Sequence, residues 1–432
     1  MRIVSETEFG QSVVAHLAQR TDRQGQAPRI IASGNAASPF VALAAIDAAV
    51  EAYRLFVLNA QPGLPVRDGV IPESPFIGPG FRAAPALDYL PARLSLVPRL
   101  FKSSHRPDVV VLHTSTPIDG KVSLGIEVNI LPAAIEAAKA NGGLVVAQVN
   151  PLMPYTFGDG EIDADLIDLA IEADQPLGGH RSQGPDALGL AIGERVAELV
   201  RDGATLQLGI GNVPDATLAS ITDRRGLRVW TETFSDNMLT LDAVGALDPE
   251  TVLTTTFLLG STDLYKWANR NDRVRILRTE TVNDPAVIAT QPRMTSINTA
   301  LQIDLYAQAN ASWIRGRIFS GFGGQADFVA GTLHAQGGRA IIALSSWHPK
   351  ANVSTVLPML TSPATSFQHS FIVTEQGIAP VWGCTQPQQT ANIINHAANP
   401  KVRAELTETA TRLGLLGGAA VSQNGRLAVS AG

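Results

Sequence analysis

The chain has 432 residues, of which 45% are hydrophobic and 17% charged, and its formal net charge at pH 7 is −6. This length exceeds one ordinary hydrophobic core, so we expect two or three domains in a well-buried globular protein. A negative net charge gives no general attraction to nucleic acid or to an anionic membrane, and neither is an expected partner.

Signals for export, for a membrane or for a metal are not found in the sequence. The N-terminus, MRIVSETEFGQSVV, lacks an apolar run followed by a small-residue cleavage site, and no window offers 18 uninterrupted apolar residues. The single cysteine, Cys384, excludes an internal disulfide and a cysteine-based metal cluster, and the eight histidines are scattered. We expect a soluble cytoplasmic protein without a metal site.

Strands and helices alternate along the first half of the chain. Strands are predicted at 28–32, 53–58, 109–113 and 144–150, and helices at 39–50 and 131–139. The run 109–112 is wholly apolar, which fits a strand buried on both faces of a parallel sheet. Repeated strand–helix units of this kind predict an α/β domain with a mainly parallel sheet.

A segment rich in Gly, Pro and Ser at 176–185 (PLGGHRSQGP) is the predicted linker between two domains. Asp186 follows it as the expected N-cap of a helix, and the second half then repeats the order helix, strand with Gly turn, helix, strand. We therefore predict two tandem open α/β domains with mainly parallel sheets, at residues 1–180 and 186–432.

The later elements are predicted from shorter patterns. Single strands are expected at 251–259 and, with a bulge, at 296–305; further strands are expected at 339–344 and 371–374, the second of which would be the last. The tail after Leu416 is small and polar, so we expect it to be frayed.

The most informative stretch is 206–238. An apolar strand runs into the turn Gly209-Ile210-Gly211, a helix opens with Pro214 and Asp215, and a second strand delivers Glu232 at its C-terminal end. Open α/β sheets place their ligand sites at such strand ends. Taken alone, a Gly-x-Gly motif more often marks a tight turn than a ligand loop, and a glutamate after a strand is more often a solvated surface residue.

A second glycine-rich stretch strengthens this interpretation. SGFGGQADF at 320–328 has three glycines within four residues. Glycine permits positive φ and close backbone approach, so we expect another chain segment or a ligand to run against it.

Four segments resemble motifs of a known family. They are LQLGIGNVPDATL (206–218), VWTETFSDNM (229–238), SINTALQIDL (296–305) and SGFGGQADFVAG (320–331). They are similar to motifs of the acetyl-CoA hydrolase/transferase family, the class I coenzyme A transferases that include 4-hydroxybutyrate and acetate CoA-transferases. The match runs in order through nearly the whole chain and is weakest near its start.

The resemblance implies a reaction and a set of catalytic residues. Class I CoA-transferases use a glutamate nucleophile and a glutamyl-CoA thioester, and the motif places this role on Glu232. A rival position in 296–305 is Gln302, which is neutral and cannot be the nucleophile. The resemblance also implies that the Asn283 amide and the backbone N–H of Gly324 stabilise the oxyanion; their bland alternatives are a turn-forming asparagine and a packing glycine.

The resemblance further implies contacts to coenzyme A, which is a substrate and not a permanently bound cofactor. The implied contacts are Gly209, Ile210, Gly211, Asn212, Val213, Leu301 and Gly324. A cation for the phosphates or the nucleotide end should exist as well, and Lys350 is the candidate, although an ordinary solvated lysine is an equally good explanation of that residue.

Two positions depart from the family pattern. The family usually has Arg after Asp-Phe-Val and Tyr in Val-Thr-Glu-Tyr-Gly, whereas this chain has Ala330 and Gln376. These changes affect the expected choice of acyl group or acceptor and would also admit water.

We therefore expect a CoA-transferase that acts on an acyl-CoA and a short-chain carboxylate of acetate, butyrate, 4-hydroxybutyrate or succinate type. The resemblance also implies a homo-oligomer, a dimer or larger. The alternatives are an acyl-CoA hydrolase and a CoA-binding protein without turnover.

Overall fold

The computed structural model describes residues 1–20, 25–179, 184–364 and 368–416. The elements of the first half, in chain order, are β1 (Arg2–Ile3), α1 (Glu6–Ala18), β2 (Arg29–Ala32), α2 (Phe40–Ala49), β3 (Tyr53–Phe56), β4 (Val70–Ser74), β5 (Asp88–Tyr89), α3 (Val97–Phe101), β6 (Val109–Thr114), β7 (Lys121–Ser123), α4 (Leu131–Ala140), β8 (Leu144–Val149), β9 (Glu161–Asp163) and β10 (Leu169–Glu172).

The first half is built on a parallel sheet. Within the described residues its strand order is β1-β10-β8-β6-β2-β3-β4-β5, and each neighbouring pair is parallel. Every residue of β6 is buried, as its apolar sequence predicts for a central strand covered on both faces. A short antiparallel pair, β7 and β9, stands apart from this sheet.

The elements of the second half are α5 (Ala187–Leu199), β11 (Thr205–Leu208), α6 (Asn212–Ala219), β12 (Arg228–Val229), β13 (Thr233–Phe234), α7 (Asn237–Ala243), β14 (Leu253–Thr255), β15 (Phe257–Leu258), α8 (Thr262–Ala268), β16 (Val274–Ile276), α9 (Thr279–Val282), α10 (Pro285–Ala289), β17 (Met294–Thr299), β18 (Gln302–Asp304), β19 (Ala309–Asn310), β20 (Trp313–Ile314), β21 (Arg317–Ile318), α11 (Gln325–His334), β22 (Arg339–Ala343), β23 (Trp347–His348), β24 (Val353–Ser354), β25 (Val356–Leu357), β26 (Phe371–Thr374), β27 (Gly377–Pro380), α12 (Gln386–Asn392) and α13 (Arg403–Arg412).

The second half has its own open sheet, with the order β12-β11-β17-β22-β26-β27 among the described residues. Its pairs are parallel except β26–β27, which is antiparallel. Asp186 caps α5 as predicted, because its carboxylate accepts a hydrogen bond from Gly189 N at 2.7 Å. The predicted class, two α/β units in tandem with mainly parallel sheets, is confirmed.

The two halves share an apolar core. One continuous cluster of buried residues includes Ile126 and Val128 of the first half together with Phe257, Leu258 and Ile276 of the second. The predicted domain limits remain a prediction, and residues 180–183 of the predicted linker and the tail from 417 lie outside the described residues.

Three predicted strands are wrong in detail. The segment 251–259 is two strands, because Thr256 N and Phe257 N donate to the Glu232 carbonyl, so β14 pairs with β16 and β15 with β13. The segment 296–305 is likewise divided: β17 stays in the central sheet, whereas Leu301 N bonds to Asn310 O and β18 joins β19 and β25. The strand Phe371–Thr374 is not the last, because the chain turns back as β27.

Among the described residues, no helix is long and apolar enough to cross a membrane.

Candidate active site

Glu232 lies between β12 and β13, where the chain passes from the six-stranded sheet to the two-stranded pair of β13 and β15. Its backbone carbonyl accepts hydrogen bonds from Thr256 N at 3.0 Å, Phe257 N at 3.2 Å and the Thr255 and Thr256 hydroxyls at 2.9 Å each. On the preceding residue, the Thr231 hydroxyl donates to Leu208 O at 3.0 Å. These bonds hold the Glu232 backbone rigidly against its neighbours, so the side chain starts from a well-defined point.

Asn283 is the hydrogen-bond partner of the Glu232 carboxylate. Its Nδ2 donates to Glu232 Oε2 at 2.9 Å, and its side chain is fully buried. Its Oδ1 accepts from the Thr279 hydroxyl at 3.3 Å, which orients the amide with the NH₂ group toward the carboxylate. Asp284 caps α10 directly afterwards, since its carboxylate accepts from Ala286 N. The Asn-Asp-Pro sequence is therefore a turn, but its asparagine also points into the site.

Gly324 packs directly against this pair. A Cβ atom at this position would overlap Glu232 Oε2 and Asn283 Nδ2, although the backbone angles, φ −93° and ψ −2°, suit any residue. Glycine is therefore required here by space and not by backbone conformation. The sequence-predicted trio of Glu232, Asn283 and Gly324 is brought together at one point.

The glycine-rich stretch around Gly324 is held by the first half of the chain. Phe76 forms a bridge with Gly321, and Ile77 N donates to Ser320 O at 2.8 Å. A Cβ on Gly321 would overlap the Pro75 carbonyl. The prediction that another chain segment runs against this stretch is confirmed, and the segment is 75–77.

A cavity of about 260 Å³ opens beside Glu232 between the two halves. Its walls include Gly209, Ile210, Glu232 and Gly324 from the predicted set, and Phe76 from the first half. Ile210 is exposed at 39% and provides an apolar surface at this cavity.

Other residues of the predicted CoA-contact loop have structural contacts as well. Gly211 has φ +118°, which favours glycine, and forms the N-cap of α6. The Asn212 side chain exchanges hydrogen bonds with Asp186, at 3.0 Å to its N–H and 2.8 Å to its carboxylate, and Val213 is buried. The loop thus joins two helix starts beside the cavity.

Two predicted contacts lie elsewhere. Within the described residues, the walls of the Glu232 cavity include neither these two, Leu301 and Lys350, nor Gly211, Asn212 and Val213 of the loop. Leu301 is half-buried between β17 and β18, and Lys350 is exposed in the turn between β23 and β24. Their roles toward coenzyme A remain predictions.

The Glu232 carboxyl group sits in a desolvating environment. The residue keeps some accessible surface toward the cavity, but burial raises the pKa of its carboxyl to about 7. The hydrogen bond from Asn283 opposes this shift, and the charge of Asp327 adds to it. Such a carboxyl is poorly solvated and hence a better nucleophile when ionised.

This pKa predicts how activity depends on pH. With Glu232 in its expected role of nucleophile, a proton on its carboxyl below pH 7 prevents attack, so kcat/KM should fall about tenfold per pH unit once the pH is well below 7. The measurement is the rate of acyl-CoA:carboxylate exchange from pH 5 to 8. A rate that stays level down to pH 5, near the usual pKa of a glutamate, would contradict a raised pKa.

Sequence reasoning missed two buried carboxyl groups near this site. Asp327 accepts from Ser95 N at 3.1 Å and Ser95 Oγ at 2.9 Å, and burial raises its pKa to about 6. Glu127 is 1% exposed, and the charge of Glu232 contributes to raising the pKa of its carboxyl. No sequence signal indicated Glu127, because the apolar alternation of Leu124, Ile126 and Val128 would place residue 127 on the opposite, solvated face.

The carboxylate of Glu375 is held by neutral donors. Ser346 N donates to its carboxylate at 2.9 Å, and Gln376 Nε2 does so at 3.1 Å; the Ser346 hydroxyl donates as well. Gln376 thus supports Glu375, and Ala330 lies half-buried on α11.

No group of three or more His, Cys, Asp or Glu side chains in the described ranges is arranged to hold a metal ion.

Comparison with known proteins defines the class. The chain belongs to the acetyl-CoA hydrolase/transferase family: the model of the family's C-terminal domain matches residues 260–410. A 4-hydroxybutyrate coenzyme A transferase of Clostridium kluyveri is 37% identical over 334 residues, which cover 74% of this chain and 76% of that protein.

Two further comparisons extend this result. The crystal structure of RipA from Yersinia pestis has a TM-score of 0.86 at 26% identity and covers 96% of this chain and 98% of that one. An acetyl-CoA hydrolase of Saccharomyces cerevisiae is 30% identical over 213 residues, 47% of this chain and 39% of that protein.

Proposed function

We propose that this enzyme transfers coenzyme A from an acyl-CoA to a short-chain carboxylate of the acetate, butyrate, 4-hydroxybutyrate or succinate type, with Glu232 as the nucleophile. The observation that carries the proposal is the contact of Glu232, Asn283 and Gly324 beside an interdomain cavity. The 37% identity to a 4-hydroxybutyrate coenzyme A transferase supports the same reaction class.

The proposed reaction is a ping-pong exchange. A Glu232 oxygen attacks the thioester carbonyl, the C–S bond breaks, and an acyl-glutamyl anhydride and the CoA thiolate result. The thiolate attacks the glutamyl carbonyl, releases the first carboxylate and leaves a glutamyl-CoA thioester, which the second carboxylate opens by the reverse steps. Covalent catalysis thus replaces one difficult exchange by steps of similar energy.

Each attack produces a tetrahedral oxyanion that needs donors already in place. The Asn283 amide meets this need, because its Oδ1 is engaged by Thr279 and its NH₂ group faces Glu232 at 2.9 Å. We assign the second donor to the backbone N–H of Gly324, whose Cα side approaches the same carboxylate.

Asn283→Ala should lower kcat about 10²- to 10³-fold, the usual cost of removing one oxyanion donor. The measurement is steady-state exchange, with thermal unfolding as the check on folding. Asn141→Ala is the matched control, because Asn141 donates to Ala137 O at a helix end and does not border the cavity. Equal losses in both variants would remove Asn283 from the mechanism.

Coenzyme A is proposed as a substrate released in each cycle and not as a resident cofactor. Gly209, Ile210, Gly211, Asn212 and Val213 form its proposed contact loop, with Leu301, Gly324 and Lys350 as further contacts. The loop's position beside the Glu232 cavity supports the first part of this assignment.

The decisive experiment is mass spectrometry of the intact protein after incubation with a panel of acyl-CoAs. We expect a covalent CoA adduct on the peptide that contains Glu232, discharged by particular carboxylates. A protein that binds coenzyme A but forms no adduct with any acyl-CoA would be a binding protein without turnover.

Hydrolysis is the second candidate activity, and the acetyl-CoA hydrolase relative favours it. Water would open the same glutamyl thioester, so thiol release without an added carboxylate distinguishes the hydrolase from the transferase. Reverting Ala330 to Arg and Gln376 to Tyr tests whether these departures admit water.

We further propose that the enzyme works in the cytoplasm as a homo-oligomer. The single cysteine and the family resemblance support this assignment. Light scattering coupled to gel filtration measures the assembly, and a monomeric mass would contradict it.

A further inference from the structure

A second buried carboxyl group, that of Glu127, lies behind the proposed nucleophile and takes part in none of the steps above. The segment 126–129 runs beside 256–258: Leu258 N donates to Ile126 O at 2.9 Å, and Val128 N donates to Thr256 O at 3.2 Å. Thr256 is also a residue whose N–H holds the Glu232 carbonyl. Glu127 is therefore one chain segment away from the backbone that positions Glu232.

The hydrogen-bond partners of Glu127 are neutral amides. Asn35 Nδ2 donates to Glu127 Oε2 at 2.7 Å, and Asn59 Nδ2 donates to Asn35 Oδ1 at 2.7 Å. Asn35, Asn59 and Asn129 all have positive φ, at 48°, 47° and 36°. Among residues other than glycine, asparagine adopts left-handed backbone most readily, so this residue type suits all three positions. The three asparagines and the buried Glu127 therefore belong to one polar network.

Glu127 differs from the other fully buried glutamate of the first half. Glu73 is also 1% exposed, but it pairs with Arg29 at 2.6 Å and Arg54 at 2.7 Å, which hold its pKa below the usual range. No ion pair of Glu127 occurs among the described residues. A buried charge without a counter-ion is very costly, so Glu127 keeps its proton.

The side chain of Asn129 is the second polar neighbour of Glu127. The buried Oδ1 of Asn129 has no hydrogen-bond partner among the described residues, and the side-chain amide of Asn129 interacts with Glu127. In that interaction the amide donates to the carboxyl, which favours the ionised form, so like the Asn35 bond it opposes the shift that burial causes.

The titratable groups around Glu127 agree with its protonated state. Burial raises the pKa of Glu127 to about 8; the Asn35 hydrogen bond opposes the shift, and the charge of Glu232 adds to it. On the Asn35 side, burial lowers the pKa of His113 to about 4, so its ring is uncharged. On the Asn129 side, Arg278 is paired with Glu136 and Glu280.

We propose that Glu127 is a positioning residue that acts in its uncharged form: it fixes the segment behind Glu232 and keeps a further negative charge out of the cleft. The inference rests on the proposed function, in which the thiolate and the acceptor carboxylate are both anions. An ionised Glu127 would repel them and would favour the protonated, unreactive form of Glu232.

The consequence is a decline of activity at alkaline pH. With a pKa of about 8, only about one tenth of Glu127 keeps its proton at pH 9, so kcat/KM should fall about five- to tenfold from its maximum. The low-pH decline belongs to Glu232 and should be unaffected.

The test compares wild type with Glu127→Gln and Glu127→Ala from pH 5.5 to 9.5. Glutamine has the shape of the protonated acid and never ionises. Glu127→Gln should therefore retain turnover within about threefold at pH 7 and lose the alkaline decline. Glu127→Ala leaves the Asn35 amide unpaired and should lose at least about tenfold in turnover. Glu73→Gln is the control, because Glu73 is equally buried but ion-paired. Breaking that ion pair should lower the melting temperature.

Two outcomes would overturn the inference: an alkaline decline that persists in Glu127→Gln, or a loss in this variant as large as that in Glu127→Ala. Infrared difference spectra between pH 7 and pH 9.5 provide a readout that needs no turnover, namely a carboxylic C=O band that disappears at high pH in wild type and is absent from Glu127→Gln. If the band is seen but no acyl-CoA supports exchange, the proposed function fails and the protonation of Glu127 stands. If exchange occurs without the band, the inference fails alone.

Discussion

Glu232→Ala and Glu232→Gln are expected to lower acyl-CoA:carboxylate exchange by about 10⁴-fold or more, because neither variant can form the anhydride or the thioester. Glu232→Asp should keep only weak activity, since its shorter side chain withdraws the carboxylate from the Asn283 amide, now 2.9 Å away. The measurement is exchange between an acyl-CoA and a free acid, together with the loss of the covalent CoA adduct.

The fold should survive this substitution. The folded-state pKa of Glu232, about 7, lies above its ordinary value of 4.5, so the folded protein binds this proton more tightly than the unfolded chain does. That contribution to stability is fully present below pH 4.5 and is lost as the pH rises through 7. At pH 8 the ionised group therefore opposes folding, and Glu232→Gln should melt at the same temperature as wild type or higher.

Glu280→Gln is the control for Glu232→Gln. Glu280 is half-buried, pairs with Arg278 at 2.6 Å and does not border the Glu232 cavity. Its loss should change exchange by less than about threefold, because a partly exposed ion pair contributes little. Full exchange by Glu232→Ala would reject Glu232 as the nucleophile.

Gly324→Ala should lower kcat by about 10²- to 10³-fold while the chain still folds. The added Cβ would overlap both Glu232 Oε2 and Asn283 Nδ2, so the carboxylate and its donor must separate. A displacement of about 1 Å in a reacting group costs about 10²-fold, and a misplaced oxyanion donor costs a similar factor. Because φ −93° suits alanine, the effect on folding should be small.

Gly179→Ala is the matched control for Gly324→Ala. Gly179 is exposed, and a Cβ there would approach only Gly260 O, at 3.7 Å. Its activity should match wild type in the same assay. If Gly324→Ala were as active as Gly179→Ala, the close packing around Glu232 would have no catalytic meaning.

Much of the fold follows from local sequence patterns. The strand–helix alternation predicted both parallel sheets, and Asp186 was recognised as a helix cap from its position before an apolar period. The failures came where side chains or distant segments redirect the backbone. No pattern within 251–259 indicates that its backbone amides donate hydrogen bonds to the Glu232 carbonyl, because the acceptor lies outside the segment.

The sequence by itself determined the family and the catalytic candidates, because Glu232, Asn283 and Gly324 each stand in a local motif. Only the tertiary structure decided that a glycine is required at 324, that 75–77 lies against 320–321, and that Glu127 is buried beside Glu232 without a counter-ion. The physical reason is that burial, charge pairing and steric contact depend on segments distant in the chain. Burial, charge pairing and steric contact arise only when the folded segments pack together, and they also set the pKa values on which the proposed chemistry depends.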